Sequence, residues 1–332
     1  GALANYRRAA EADSRTEEIQ AADEALKKIE SLLSLNSVAE NLYFGLALGA
    51  VLLLAAIGLA ITFGVMGVIN MAHGEMIMLG AYTTYVVQQL MPDHIGMSLA
   101  VAVPAAFLVS GFVGVLIERG VIRHLYGRPL ETLLATFGIS LVLQQAVRSV
   151  FSPLNREVAT PDWMAGTFMI NPALELTFNR LYIIIFSLLV LALLALILKR
   201  TLFGLQMRAV TMNRPMASSM GIRTGWVDAL TFGLGSGIAG IAGVALSQLT
   251  NVGPNMGQAY IIDSFMVVVF GGVGNLWGTL VGAMSLGVVN KLLEPWAGAV
   301  VAKILVLIFI ILFIQKRPRG LFALKGRAAD MG

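Results

Sequence analysis

The chain has 332 residues, of which 57% are hydrophobic and 13% charged, with a formal net charge of +4 and a mean hydropathy of +0.80. Soluble domains carry about 25% charged residues, so composition excludes that class, and the absence of cysteine excludes disulfides and thiolate metal sites. The apolar runs are continuous rather than alternating, which excludes a transmembrane β-barrel and leaves an all-α, polytopic membrane protein.

The chain opens Gly1-Ala2, which fits either cleavage of a leader or truncation. Residues 1–38 form a predicted N-terminal helical segment outside the membrane. Ser14 followed by Glu17 reads as a capping box, and Ile19, Ala22, Leu26, Ile29 and Leu33 recur at heptad-like spacing. Glu17 and Glu18 near the start, with Asp23–Lys27 and Glu24–Lys28 as i,i+4 pairs, support the helix. Such an amphipathic helix either props the membrane domain or docks a partner.

The membrane domain is expected over 39–328, with spans near 42–63, 75–90, 98–118, 131–150, 181–198, 227–248, 260–273, 276–293 and 299–315. The count is eight to ten, because the seventh span is short enough to be broken or half-spanning. Where the first span stops, the chain reads GVMGVINMAHGEM (64–76), bringing Gly67, Asn70, His73, Gly74 and Glu75 to membrane depth. Irregular polar backbone is tolerated there only if protein buries it or it lines a water-filled cavity. Ionisable groups at that depth are candidate functional groups. No second histidine is near His73 in sequence, so no metal centre is expected.

Basic residues follow the third span (Arg119, Arg123, Arg128), the fifth (Lys199, Arg200, Arg208, Arg214, Arg223) and the last (Lys316, Arg317, Arg319, Lys325, Arg327), while 91–97 and 249–259 have none. The positive-inside rule then puts the C-terminus in the cytoplasm and the N-terminus outside. It also accounts for the pI of about 9.4 without a nucleic acid partner. FGVMG (63–67) and FGGVG (270–274) form a weak internal echo, each closing an apolar run.

Gly233, Gly237, Gly240 and Gly243 recur along one predicted helix, spacing that suits close helix packing in lipid. The loop 208–225 is basic yet carries Met212, Met216, Met220 and Ile222, as a surface covered by a partner would. Polar residues inside spans are Gln144, Gln145, Asp263, Asn275, Asn290 and Lys303. Asp263 is the most costly to bury unpaired, unless it pairs with Lys303 or lies at the interface. No P-loop, HExxH or GxSxG occurs, so no hydrolytic or catalytic apparatus is expected in this chain.

GVMGVINMAHGEMIMLGAY (64–82), GLQMRAVTMNRPMASSMGI (204–222) and VVFGGVGNLWGTLVGA (268–283) resemble the signatures of permease subunits of branched-chain amino acid type ABC importers. The resemblance runs from about residue 42 to the end. Within that family the chain is most similar to the urea-type permease, through its N-terminal extension, GRPLETLLATFGISLVLQQ (127–145) and the ending at 293–327. The resemblance implies a bacterial inner-membrane importer working with a second homologous permease, two cytoplasmic ATPases and a periplasmic solute-binding protein. ATP and magnesium would be bound by the ATPases, and the only other contact is membrane lipid.

It also implies that 208–225 is the ATPase-coupling segment, with Arg214, Met216, Ala217, Ser218, Gly221 and Ile222 as its residues. Met216 stands where an acidic residue often begins that motif. The expected solute is urea or a short amide, with a branched-chain amino acid as the alternative, and a passive channel as a further one. Asn70 and the backbone at Gly67 and Gly74 are expected to touch the solute, with His73 and Glu75 holding and gating the break. Gln144, Asp263 and Asn275 complete the expected path.

Overall fold

The computed structural model describes residues 2–172 and 174–322, so Lys325 and Arg327 lie outside the described residues. The predicted spans appear as helices α1 (Ala2–Met66), α2 (His73–Leu90), α3 (Ile95–Gly120), α4 (Pro129–Phe151), α5 (Phe178–Arg200), α8 (Thr224–Ser247), α9 (Met256–Gly271), α10 (Leu276–Ala297) and α11 (Ala299–Lys316). Between α5 and α8 lie α6 (Leu202–Met212) and the short α7 (Arg214–Ser219). Among the described residues seven helices are long and apolar enough to cross a membrane, and α9, at 16 residues, falls short.

The capping box at Ser14 does not start a helix. α1 is one unbroken helix of 65 residues, passing through position 14 and on to Met66. No proline interrupts it, so the exposed extension and the first span share one axis. The hairpin of β1 (Thr167–Asn171) and β2 (Leu174–Thr177) between α4 and α5 is a further addition to the sequence reading. A bridge between Arg156 and Val252 ties the same region to the loop before α9.

α8 is the hub. Nearly every residue from Val227 to Ser247 is buried, against α1, α2 and α3. Its glycines make that possible: a Cβ at Gly80 would run into the Gly240 carbonyl, and one at Gly243 into the Ile77 carbonyl. A Cβ at Gly240 would also meet the Ala106 carbonyl at 2.6 Å. Backbone cannot yield as a side chain can, so Gly240→Leu is expected to cost about 3 kcal/mol, the upper end of the usual overpacking range. The check is loss of monodisperse protein, or a much lower melting temperature, in detergent. α4, α5 and α11 sit at the periphery, exposing Leu, Phe and Ile side chains as lipid-facing helices do.

Gly64 and Gly274, from the two echoed stretches, lie in contact. The two breaks nevertheless differ. After α9 the chain turns tightly into α10, Gly271 against Gly278, whereas after α1 it re-enters the bundle.

Candidate functional site

α1 ends at Met66, and Gly67 follows with φ +66°. Apart from its chain neighbours, nothing lies within 4 Å of where a Cβ would stand on Gly67. Its glycine therefore serves backbone conformation, not space. Asn70 is buried, and its side-chain oxygen accepts from the Ala72 N–H at 2.9 Å, turning the chain into α2. Thr136 Oγ1 on α4 accepts from the Met71 N–H at 3.1 Å. His73 is buried, and its Nε2–H donates to the Ala55 carbonyl at 2.6 Å.

Ala55 lies about 11 residues, or ~16 Å, up α1 from Met66 at 1.5 Å per residue. With Met66 taken at the edge of a hydrocarbon core ~30 Å thick, α2 begins about halfway into it. The start of α9 meets it there: a Cβ at Gly74 would strike the Gly257 carbonyl, and one at Gly257 the Gly74 carbonyl. Two helix N-termini, each with partial positive charge, thus meet beside the break.

Glu75, in the first turn of α2, is 1% exposed. One oxygen accepts from Ser140 Oγ at 2.9 Å and from Gln144 Nε2 at 2.8 Å, both on α4. Its other oxygen is buried with no hydrogen-bond partner among the described residues. The buried face of α4 is a polar ladder at every fourth residue, Thr132, Thr136, Ser140 and Gln144. Arg148 continues it, donates to Asn255 Oδ1 before α9 at 2.7 Å, and acts electrostatically on Glu75. Val147 in the core, Ile139 and Leu143 packed against it and Phe151 stacked on Tyr82 also hold α4 to the bundle, while Leu134, Phe137, Leu141 and Val142 face outward.

The structure therefore brings Glu75 and Gln144 together beside the break containing Gly67, Asn70, His73 and Gly74. Asp263 is elsewhere, on α9 facing α11, where Lys303 Nζ lies 3.5 Å from its carboxylate. Asn275 caps α10, accepting from the Gly278 N–H at 3.2 Å, and lines a separate cavity of about 750 Å³ with Lys199 and Arg208. Gln145 points outward. Thr132, Thr136, Ser140, Arg148 and Asn255 escape the sequence reading; the four-residue spacing of polar groups in an apolar helix is the signal that marks four of them.

At the basic end of the bundle, Asn213 Oδ1 accepts from the Met216 N–H at 3.1 Å and starts α7. Met212, Met216 and Met220 are exposed, Ala217 is buried, Ser218 is exposed, Gly221 has φ +90°, and Ile222 packs against the core. Arg214 does not join the exposed surface. Its guanidinium pairs bidentately with Asp228 of α8 at 2.7 and 3.0 Å and lies over the Tyr126 ring, 4.4 Å from its centroid. The Tyr126 hydroxyl donates to the Met66 carbonyl at 3.2 Å. Burial and the nearby Asp228 charge raise the Tyr126 pKa above its ordinary value, so the phenol keeps its proton.

The family model of the branched-chain amino acid transport system permease component matches residues 41–314. The chain is 30% identical over 292 residues to the high-affinity branched-chain amino acid transport system permease protein BraD of Pseudomonas aeruginosa, covering 85% of this chain and 94% of that one. The permease protein LivH of the same kind of system from Salmonella typhimurium matches with the same identity and coverage. The ribose import permease protein RbsC of Bacillus subtilis is 30% identical over a shorter stretch, 29% of this chain and 32% of that one. No solved structure matches. The re-entrant break, the short α9 and the glycine-packed hub are thus the membrane domain of a chain that belongs to the branched-chain amino acid permease family.

Proposed function

We propose that this chain is the permease subunit of an ATP-driven importer for branched-chain or similar small amino acids. The observation that carries the reading is Glu75, a buried carboxyl group with one unpartnered oxygen among the described residues, held by the α4 ladder that Arg148 continues. An amino acid carries an ammonium and a carboxylate. The free Glu75 oxygen suits the first, and Arg148 with the mid-depth helix N-termini suits the second. The names of the relatives BraD and LivH support the same solute class.

A second reading, urea or a short amide, is favoured by the neutral donors and acceptors of the ladder, Thr136, Ser140 and Gln144. It leaves the unpartnered Glu75 oxygen without a task, and the relatives named above lend it no support. In either case two cytoplasmic ATPases supply the power, binding ATP and magnesium. A second homologous permease completes the path, and a periplasmic binding protein delivers the solute to the inner membrane. The basic end faces the cytoplasm, where α7 and the exposed Met212, Met216 and Met220 seat in an ATPase groove and pass on its closure as rigid-body motion. The test is uptake by the reconstituted complex in proteoliposomes. ATP-dependent accumulation of leucine without urea is expected. Urea accumulation without leucine would give the function to the second reading, and ATP-independent flux through this chain alone would make it a channel.

A further inference from the structure

We infer that Tyr126 is a positioning residue that ties α7 to the hinge at the end of α1; this rests on the transport reading above. The contacts form one chain. Arg214, the first residue of α7, is held by two hydrogen bonds to Asp228 and stacks on the Tyr126 ring. The Tyr126 hydroxyl holds the carbonyl of Met66, the last residue of α1. That carbonyl is one of the C-terminal group left without a helical partner, so the phenol is its substitute. Immediately beyond it Gly67 takes a left-handed conformation with open space around it, a place where the backbone can turn without moving neighbours.

Tyr126 also sits three residues before α4. Thr132 Oγ1, at the foot of the polar ladder, donates to the Leu125 carbonyl at 3.3 Å and the Arg128 carbonyl at 2.9 Å. The Tyr126 side chain therefore meets Arg214 of the coupling helix on one side and the hinge that leads to Glu75 on the other. The backbone on either side of it, at Leu125 and Arg128, is held by Thr132 of the helix that carries Ser140 and Gln144. A displacement of α7 borne by the Arg214–Asp228 fork reaches Tyr126 through its ring and the hinge through its hydroxyl. The fork resists rotation because it is held at two points. Coupling then needs the hydroxyl as well as the ring.

The experiment compares Tyr126→Phe, Tyr126→Ala and Arg214→Lys in the assembled complex with its ATPases. It is combined with Met71→Cys, the only thiol this cysteine-free chain would then carry. Met71 borders the break and lines an apolar cavity of about 310 Å³ between α9 and α11. In the wild-type background, labelling of this thiol by a small maleimide is expected to change with ATP. Tyr126→Phe is expected to hydrolyse ATP within about twofold of wild type, to lose at least tenfold in uptake per ATP, and to abolish the ATP response of the label. If the ring only packs, Phe restores what Ala loses, and that result overturns the proposal. Should Phe impair assembly, Arg214→Lys, which keeps the charge but not the two-point hold, is expected to give the same uncoupling; wild-type coupling there overturns it. A wild-type complex that moves no solute would refute the transport reading alone, since the label still reports whether Tyr126 links α7 to the break. A label indifferent to ATP in wild type would overturn the proposal.

Discussion

Glu75→Gln lowers ATP-driven leucine uptake by about 10- to 100-fold, equivalent to ~1.4–2.7 kcal/mol, while the complex still assembles. The substitution keeps an oxygen that accepts from Ser140 and Gln144 but turns the unpartnered acceptor oxygen into an NH2 donor and leaves no carboxylate. A charge-assisted contact to an ammonium is about twice as strong as a neutral one, so the loss falls on a charged solute. Ser140→Ala and Gln144→Leu each remove one contact to Glu75 and are expected to cost less, roughly two- to fivefold. Measuring leucine and urea uptake side by side reads the solute class directly. If Glu75→Gln transports leucine at the wild-type rate, the carboxylate does not contact the ammonium and that assignment fails.

The second large effect is expected at Asp228, whose side chain is 6% exposed against 27% for Arg214. Asp228→Asn removes the charge that compensates a guanidinium held over Tyr126. Breaking such a pair from one side leaves the other charge uncompensated, at about 2–4 kcal/mol for this partly exposed case. A drop of several degrees in the melting temperature of the purified protein is the check. Replacing both partners, Arg214→Met with Asp228→Leu, is expected to recover part of that stability because no unpaired charge remains. The double variant is still expected to be uncoupled, since the two-point hold on α7 is gone. Recovery of stability together with coupling would show that the pair only stabilises the fold.

The spans were legible residue by residue because each depends on its own composition. A run such as 299–315 or 181–198 has no fate but a helix in lipid, since backbone groups there must be satisfied within the segment. Charge marked where those two end, at Lys316 and at Lys199. The extent of α1 was not legible. Ser14 and Glu17 have the local pattern of a helix start, but such a pattern decides nothing when the preceding residues are helical as well. The hairpin at 167–177 was equally hidden, because a short strand exists only once its partner is beside it.

At the site the division falls differently. Local rules were enough to expose the break at 64–76, the ionisable groups His73 and Glu75 in it and the amides Gln144 and Gln145 of α4, though not the rest of its polar ladder. They could not decide what Glu75 faces, since Ser140 and Gln144 are 65 and 69 residues away along the chain. They ranked Asp263 above Gln144 and named Lys303 as one option for its partner, the option that the structure takes, but gave no sign that Asn275 caps a helix. Arg214 offered no sequence sign that it turns inward to Asp228 rather than outward to a partner.

By itself, then, the sequence determined that this is a helical membrane protein with a polar interruption after its first span, because hydropathy and glycine act over one or two turns. Only the tertiary structure decided that the interruption folds back to mid-depth and meets α9 and the ladder of α4. Glycine-to-glycine approach around α8 sets the helix positions, and those positions choose which buried polar groups become partners.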